Sequence, residues 1–298
     1  MSSSYIPAMH IKGANLPEAW EKALVWVWEN GVDIRTEYDK KNDKGEYIDP
    51  PSKDATVMVE VADPFSEPRI HKNFPGGPQE LEVYRQEVVD GIHDHWIDPE
   101  NDKWTYTYHE RLFKYAVTAD LDRSDAPRPF KAVNQIQYII DKLAETGHTR
   151  RAQAVTWMPT ADPQTYDPPC LQRVWCRILE EKGRGLVLNM NTHWRSRDLY
   201  KAWFMNVYAL TDLQRIIAAA VSKRIGKPVA VGRYVDIADS LHIYGSYFKD
   251  FKPEYEKMKK TPDYRDRAWG SDHPAFVMMV DETRAKLKEN VDFILGGQ

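Results

Sequence analysis

One stretch of the sequence, PPCLQRVWCRILEEKGRGLVLNMNTHW, runs from residue 168 to residue 194 and decides the fold class. Within it, residues 171–179 and 185–194 alternate apolar with polar side chains, as β-strands with one buried face do. Cys170, one of only two cysteines in the chain, stands at the start of the first run, directly after two prolines that fix its backbone. The stretch therefore predicts two strands and a thiol held rigidly at the end of one of them.

Helical and extended patterns surround these two strands. Residues 15–31 predict a helix, because Asn15 is a good N-cap and Pro17 lies in the first turn. Three more helices, each ended by a glycine, are predicted at residues 79–92, 129–147 and 206–226. Further strands are predicted at residues 55–63, 151–158 and 228–245, with a long polar loop before the first of them. This mixture lacks regular βαβ alternation and predicts an α+β fold with a mixed sheet.

Composition excludes several classes of protein. The 298 residues include 41 basic and 45 acidic side chains, a net charge of -4, which gives no basic surface of the kind that nucleic-acid binders carry. Two cysteines cannot form a disulfide framework, the N-terminal residues lack the apolar core of a signal peptide, and no apolar run approaches ~18 residues. We expect a soluble cytoplasmic protein with reduced thiols and no membrane or nucleic-acid partner.

A metal site is not predicted. His93 and His95 are separated only by Asp94, but no further clustered ligands complete a set. Cys176, six residues after Cys170, is interpreted as a small buried hydrophobic residue, the usual state of a lone cysteine.

Four short motifs follow one another in an order and at separations that are specific. They are Pro-Cys ending at Cys170, Arg-Ser-x-Asp at residues 195–198, Asn206 eight residues beyond that aspartate, and His-x-Tyr at residues 242–244. In this order they resemble the motifs of the thymidylate synthase superfamily, which includes pyrimidine hydroxymethylases. The residue after the cysteine, Leu171, departs from the histidine often found there, and the resemblance is to a divergent, archaeal-type branch.

The resemblance covers residues 104–250 clearly and residues 1–100 loosely, and it leaves residues 251–298 as a C-terminal extension of a single domain, 1–298. It implies an α+β fold with a large mixed β-sheet flanked by helices, whose sheet packs back to back against that of a second subunit. The expected partner is thus a second copy of the chain, in a homodimer with shared active sites.

The nucleotide phosphate is the first ligand that the resemblance implies. Arg195 and Ser196 resemble its ligands within one chain, and Arg150 and Arg151 lie where the family carries an arginine pair donated by the partner subunit. Guanidinium groups present a planar fork of donors that suits phosphate oxygens. Several of them explain how a mildly acidic protein holds a pyrimidine nucleotide monophosphate.

The sugar and the base of the nucleotide have their own candidate residues. His242 and Tyr244 resemble the pair that binds the sugar 3′-hydroxyl. The amide of Asn206 can donate to a uracil carbonyl and accept from the N3 hydrogen, whereas cytosine presents a bare N3 acceptor. The residue therefore favours uracil, and the sugar is left as ribose or deoxyribose.

The catalytic candidates follow from the chemistry that the family performs. A Cys170 thiolate adds to carbon 6 of the pyrimidine and makes carbon 5 nucleophilic. Tyr108 resembles the tyrosine that supports removal of the carbon 5 proton through ordered water, and Asp198 resembles the residue that contacts the pyrimidine and the pterin. The catalytic glutamate is assigned to Glu87, with Glu82 as the alternative.

The one-carbon carrier is expected to be 5,10-methylene-tetrahydrofolate or a related reduced pterin, which acts as a co-substrate. His93 and Trp96 lie in the segment that resembles the family's paired-tryptophan contact with it, and Asp198 is the third candidate. His93 and Asp167 indicate a wetter pocket than methylation requires, while Trp104 and other nearby aromatic residues can exclude water.

We therefore predict conversion of dUMP to dTMP by a thymidylate synthase. A (d)UMP or (d)CMP 5-hydroxymethylase is the alternative within the same class of enzyme. An inactive nucleotide-binding homologue is the alternative from another class, and the intact Cys170 argues against it.

Overall fold

A computed structural model describes residues 5–101, 103–116 and 131–295 of the chain. Within the predicted core region, 104–250, residues 117–130 lie outside the described residues. They include the first two residues of the helix predicted at 129–147. The last three residues of the C-terminal extension also lie outside the described residues.

The described elements comprise strands and helices that alternate irregularly along the chain. The strands are β1 (Ala8–Gly13), β2 (Val32–Ile34), β3 (Ser52–Val61), β4 (Ile70–His71), β5 (Gln153–Val155), β6 (Leu171–Glu181), β7 (Gly185–Trp194), β8 (Arg197–Asp198), β9 (Val229–Ile243) and β10 (Ala268–Trp269). The α-helices are α1 (Leu16–Asn30), α2 (Gly77–Asp90), α3 (Tyr108–Phe113), α4 (Gln135–Glu145), α5 (Trp203–Ile225), α6 (Phe248–Lys260) and α7 (Pro274–Leu295).

A mixed sheet of eight strands, flanked by helices, confirms the predicted α+β class. β3 pairs in parallel with β1 and antiparallel with β2 and β9. β8 pairs in parallel with β9, and β5 pairs antiparallel with β6. β4 and β10 form a separate two-stranded ribbon. The back-to-back packing of two such sheets in a dimer stays a prediction.

Contacts between Cα atoms divide the chain into two compact units. The first comprises residues 1–83, 194–208 and 233–298, and the second comprises residues 84–193 and 209–232. The prediction of a single domain, 1–298, is not decided by this division and stays a prediction.

The first unit is built on α1, which packs on β1 and β3. The side chain of Asn15 accepts from the Glu18 N–H and caps the helix, as predicted. Trp20 is fully buried, and its indole N–H donates to the Leu199 carbonyl at 2.8 Å. This polar contact satisfies the one donor that the buried indole carries.

The second unit packs α4 on β5 and β6. Ile136, Ile139 and Leu143 recur at helical spacing and form the buried stripe of α4. Gln214 on α5 is fully buried, and its amide donates to the carbonyls of Leu188 and Gly232 at 2.9 and 3.3 Å. These bonds connect α5 to the neighbouring strands β7 and β9.

Two features that differ from the sequence-based predictions are the start of β3 and the end of α4. β3 begins at Ser52, inside the predicted polar loop, because its charged residues pair with β2 and β9. α4 ends at Glu145 with a Thr146 cap, so Gly147 does not end the helix as predicted. Gly91 does end α2, with a φ of 69°, and a Cβ there would lie 2.2 Å from the His109 Nδ1.

No helix in the part of the chain that the structure describes combines the length and the apolar character needed to cross a lipid bilayer.

Candidate active site

Cys170 lies immediately before β6 and is half-buried. The N–H of the next residue, Leu171, donates to the Tyr108 hydroxyl at 3.3 Å. Tyr108 is the first residue of α3, where the Thr107 hydroxyl caps the helix by accepting from the Glu110 N–H. The helix cap therefore places the Tyr108 hydroxyl beside the strand end that carries the cysteine.

An aromatic cavity of about 430 Å³ lies within the same unit. Its walls include Tyr84, Glu87, Trp104, Tyr106, Tyr108 and Asp167. Burial, together with the nearby Tyr108, Cys170 and Asp167, raises the pKa of Tyr106 above its ordinary value. A cavity of this size and lining suits a small organic ligand with a flat ring.

Glu87 and His93 form a hydrogen-bonded pair. The Glu87 Oε2 lies 2.8 Å from the His93 Nδ1, and both side chains are largely buried. Burial raises the pKa of Glu87 above that of an ordinary carboxyl, and the hydrogen bond from His93 opposes this rise. The pair thus holds a carboxyl of raised pKa at the wall of the cavity.

His93 also stacks on Trp96, with ring centroids 3.7 Å apart and planes 11° apart. Trp104 meets Trp96 edge-on at 5.1 Å. Both tryptophans are 41% exposed, so this aromatic cluster presents flat apolar surface to solvent. Such surface suits stacking of a planar ligand.

Glu82, the alternative catalytic glutamate, has a different environment. It is fully buried in the first unit, and the Arg284 Nε and Nη2 lie 2.9 and 3.3 Å from its two carboxylate oxygens. This two-pronged ion pair is the arrangement of a structural carboxylate. Glu82 does not line the aromatic cavity, whereas Glu87 does.

The first unit carries the Arg-Ser-x-Asp motif. Arg195 and Ser196 form the turn between β7 and β8, and both are half-buried. The Asp198 Oδ1 accepts from the N–H groups of Tyr200 and Lys201 at 3.0 and 3.1 Å, which orders the turn that follows. Burial raises the pKa of Asp198, and those backbone hydrogen bonds oppose the rise.

His242 lies opposite Asp198 in the register of β8 and β9, and the Leu199 N–H donates to its carbonyl at 2.9 Å. The ring of Tyr244 meets the His242 imidazole edge-on, with centroids 4.5 Å apart. The sheet therefore brings His242, Tyr244 and Asp198 together in the first unit. Burial lowers the pKa of His242 to about 4, so its imidazole is neutral at physiological pH.

Arg197 is a functional candidate that sequence reasoning missed. It is 1% exposed, and its Nη2 lies 2.8 Å from the Asp236 Oδ2. The Nη1 donates to the Oδ1 of Asn206. The guanidinium also lies over the Trp194 ring, 3.6 Å from its centroid. A buried arginine in the variable position of the motif therefore orients the asparagine that was predicted to bind the base.

Arg150 and Arg151 lie in the turn between α4 and β5, and both are exposed. The Arg150 carbonyl accepts from the Trp175 indole at 3.2 Å, and the Arg151 N–H donates to the Thr149 hydroxyl at 3.1 Å. Backbone contacts therefore fix the turn while both guanidinium groups lie at the surface of the unit.

Cys176 is fully buried, and burial raises the pKa of its thiol far above the ordinary value. A thiol of this kind is a poor nucleophile, whereas Cys170 is accessible. Within residues 5–101, 103–116 and 131–295, no group of three or more His, Cys, Asp and Glu side chains is arranged to hold a metal ion.

Comparison with known proteins decides the family. A sequence model described as thymidylate synthase matches residues 77–267. That span holds Cys170, the arginine motif, Asn206 and the His-x-Tyr motif. The chain belongs to the thymidylate synthase family. Members of this family are enzymes that transfer a one-carbon unit to a pyrimidine. The match confirms the resemblance seen in the sequence.

Proteins of three archaea are among the similar proteins named "Putative thymidylate synthase". The Methanosarcina acetivorans protein is 28% identical over 236 residues, which cover 78% of this chain and 88% of the relative. The Methanocaldococcus jannaschii protein is 27% identical over 82% of this chain and 96% of the relative. The Methanothermobacter thermautotrophicus protein is 30% identical over 61% of this chain and 67% of the relative. These identities are consistent with a divergent archaeal-type branch of the thymidylate synthase family.

Family membership defines the kind of reaction. Thymidylate synthases act on a pyrimidine nucleotide monophosphate and use methylene-tetrahydrofolate as a co-substrate. Family membership does not decide the roles of the individual residues, which stay predictions.

Proposed function

We propose that this protein is a thymidylate synthase that converts dUMP to dTMP with Cys170 as its nucleophile. The observation that carries the proposal is the setting of Cys170, whose neighbour Leu171 bonds the Tyr108 hydroxyl next to an aromatic cavity that Glu87 lines. A nucleophile, a polar relay and a carboxyl of raised pKa are the groups that the reaction requires.

The reaction begins when the Cys170 thiolate adds to carbon 6 of uracil, which makes carbon 5 an enolate-like nucleophile. Carbon 5 attacks the methylene group of the reduced folate, so a carbon–carbon bond forms and a carbon–nitrogen bond of the carrier breaks. Glu87, through water held near Tyr108, accepts the carbon 5 proton, and the second carbon–nitrogen bond between the carrier and the transferred carbon then breaks to leave an exocyclic methylene at carbon 5. Hydride from the carrier then gives the methyl group, and release of the thiolate restores Cys170.

The substrate contacts follow the chemistry of each part of the nucleotide. Arg195 and Ser196, with Arg150 and Arg151 of the partner subunit, bind the phosphate. Asn206 reads the base, and His242 and Tyr244 bind the sugar 3′-hydroxyl. The orientation of Asn206 supports this assignment, since a guanidinium carries only donors and the atom that faces Arg197 is therefore the amide oxygen.

The carrier is proposed to be 5,10-methylene-tetrahydrofolate. The stacked rings of His93 and Trp96 and the tyrosine-lined cavity fit a flat pterin, which supplies the one-carbon unit and the hydride. Asp198 is the proposed hydrogen-bonding contact for the pyrimidine and the pterin.

We further propose that residues 1–298 form one catalytic domain that works as a cytoplasmic homodimer. Exposed apolar side chains on the strands support a sheet-to-sheet contact between subunits. Met58 on β3 is 41% exposed between the buried Val57 and Val59, and Leu179 on β6 is 45% exposed beside the buried Ile178.

A 5-hydroxymethylase is the second candidate, because polar groups lie at the cavity. Asp167 and the Glu87–His93 pair can hold a water where methylation requires it to be excluded. An inactive homologue would hold the nucleotide without releasing tritium from carbon 5 of labelled dUMP.

The experiment that tests the proposal is covalent trapping with 5-fluoro-dUMP, whose carbon 5 cannot lose a proton. With methylene-tetrahydrofolate present, the wild-type protein should form an adduct on Cys170 that intact mass spectrometry detects. Cys170→Ser should bind dUMP yet form no adduct, and the control Cys176→Ser should form it as the wild type does. An adduct on Cys176, or none in the wild type, overturns the proposal.

A further inference from the structure

Three polar side chains project from one face of the sheet in the first unit. Asp54 on β3 lies directly opposite His242 on β9. Ser240 precedes His242 by two residues on the same strand, so its side chain lies on the same face. The register of β3 and β9 therefore places a carboxyl, a hydroxyl and an imidazole next to one another.

These side chains form a chain of hydrogen bonds. The Ser240 Oγ lies 2.5 Å from the Asp54 Oδ2. The His242 Nδ1 lies 3.2 Å from the Ser240 Oγ and 3.3 Å from the Ser240 carbonyl oxygen. Because a carbonyl oxygen only accepts, the hydrogen of the neutral imidazole is on Nδ1. The serine hydroxyl then accepts from Nδ1 and donates to the carboxylate.

The direction of this chain leaves the His242 Nε2 as a bare acceptor. That atom is buried and has no hydrogen-bond partner within the described residues. A buried polar atom without a partner costs about 1 to 3 kcal/mol, so a ligand that supplies a donor to this atom would recover that cost. A hydroxyl group of a ligand is such a donor.

Among the residues that the structure describes, Asp54 has no ion-pair partner that would explain its burial. It is 7% exposed, and its Oδ1 has no partner within the described residues, which leaves the Ser240 hydroxyl as its hydrogen-bond donor. Burial raises the pKa of Asp54 to about 6, and the bond from Ser240 opposes the rise. The folded protein therefore keeps the Asp54 carboxylate buried despite the cost of desolvation. The carboxylate contacts Ser240, the residue that orients His242.

We propose that Asp54 and Ser240 are positioning residues that fix His242 in the Nδ1-protonated form, so that its Nε2 accepts a hydrogen bond from the nucleotide 3′-hydroxyl. This inference rests on the sugar-binding role proposed for His242 and deepens it. The Asp54–Ser240–His242 chain makes affinity depend on that one hydroxyl.

The test compares binding of dUMP with binding of 2′,3′-dideoxyuridine monophosphate, which lacks only the 3′-hydroxyl. Calorimetry on the full-length wild-type protein should show a preference for dUMP of about tenfold or more. Asp54→Leu and Ser240→Ala should each reduce that preference by about fivefold or more, with affinity for the dideoxynucleotide nearly unchanged. Asp54→Asn is the matched control, because its amide oxygen can still accept from Ser240, and it should keep most of the preference.

A spectroscopic measurement separates this role from a merely structural one. The ¹⁵N chemical shifts of the His242 ring, assigned by comparison with His242→Gln, should report a hydrogen on Nδ1 in the wild type. In Asp54→Leu and Ser240→Ala the Ser240 carbonyl still accepts from Nδ1, so the Nδ1-protonated form should persist but with a smaller excess over the Nε2-protonated form. If Asp54→Leu does not fold, Ser240→Ala carries both measurements.

Two results overturn the inference: a hydrogen on Nε2 in the wild type, or an unchanged tautomer ratio and an unchanged preference in both variants. Failure of the wild type to bind dUMP is a different result. It overturns the proposed function and the proposed recognition of the 3′-hydroxyl. The tautomer measurement then tests by itself whether Asp54 and Ser240 fix the protonated form of His242.

Discussion

The Arg197 guanidinium donates to the side-chain oxygen of Asn206, and this bond fixes which side of the amide can meet a ligand. Asp236 holds the arginine from its other edge, and the Tyr234 hydroxyl donates to the same carboxylate at 3.2 Å. The amide oxygen retains a second lone pair, so Asn206 can still accept from N3 of uracil while its NH₂ group donates. Under the base-binding role proposed for Asn206, recognition of the base depends on Arg197, which need not touch the base.

The first prediction concerns base preference. Arg197→Met should reduce the kcat/KM preference for dUMP over dCMP by about tenfold, because the Asn206 amide becomes free to rotate. It should also lower the free energy of unfolding by about 3 to 5 kcal/mol, since Asp236 is left buried without its cation. The double variant Arg197→Met, Asp236→Leu should recover most of the stability but none of the preference.

The matched control is Arg267→Met, which breaks another buried ion pair of the same unit, with Glu21. It should lose stability without changing base preference. If both variants shift preference equally, the effect is one of general stability and Arg197 has no role in recognition.

The second prediction concerns pH. If Glu87 accepts the carbon 5 proton, tritium release from labelled dUMP should fall as pH drops through the raised pKa of Glu87. His93→Phe keeps a ring against Trp96 but removes the hydrogen bond that lowers this pKa. The acid limb should therefore move to higher pH, and Glu87→Gln should slow release by about a hundredfold or more at all pH values. An acid limb that stays in place in His93→Phe rules out this coupling.

The third prediction concerns stability. The pKa of Asp54 rises from 3.8 to about 6 on folding, so the folded state binds the proton more tightly than the unfolded chain does. This group therefore costs no stability below pH 3.8, and its cost grows as pH rises to about 6. Asp54→Asn should be more stable than the wild type by about 3 kcal/mol at pH 7, with little difference at pH 4.

Urea denaturation at both pH values measures that difference. Asp239→Asn, an exposed position on the neighbouring strand β9, is the control and should show no such dependence. An equal gap between wild type and Asp54→Asn at pH 4 and pH 7 would mean that the carboxyl titrates normally.

The fourth prediction concerns the dimer. Mixing an inactive Arg150→Ala, Arg151→Ala variant with inactive Cys170→Ser should restore about a quarter of wild-type activity, because hybrid dimers have one site free of both defects. Activity should be measured after refolding the two variants together, with mixed dimers verified by native mass spectrometry. Mixed dimers without activity would contradict a shared site.

Much of the fold could be predicted where a short local signal decides the structure. The Asn15 cap, the run that became β7 and the glycine after α5 are such signals, because capping and strand alternation depend on neighbouring residues. β1 was missed, since a short parallel strand is defined by its partner β3. α6 was missed because Pro253 lies inside it.

Some residues of the candidate site could likewise be predicted from local sequence, and others could not. Cys170 and Asn206 stand in motifs that can be read along the sequence. The importance of Arg197 could not be predicted, because an arginine is normally exposed and its burial requires Asp236, 39 residues further along the chain. Asp54 was missed for the same reason, since only the pairing of β3 with β9 places it opposite His242.

The central claim is that this enzyme makes thymidylate, and the mass of its product tests that claim most directly. Purified protein should be incubated with dUMP and methylene-tetrahydrofolate, and the nucleotide and folate products identified by mass spectrometry. The account predicts a nucleotide heavier than dUMP by one CH₂ group, formed together with an equal amount of dihydrofolate and absent with Cys170→Ser. A nucleotide heavier by CH₂O, formed without dihydrofolate, would contradict the account and identify the enzyme as a hydroxymethylase.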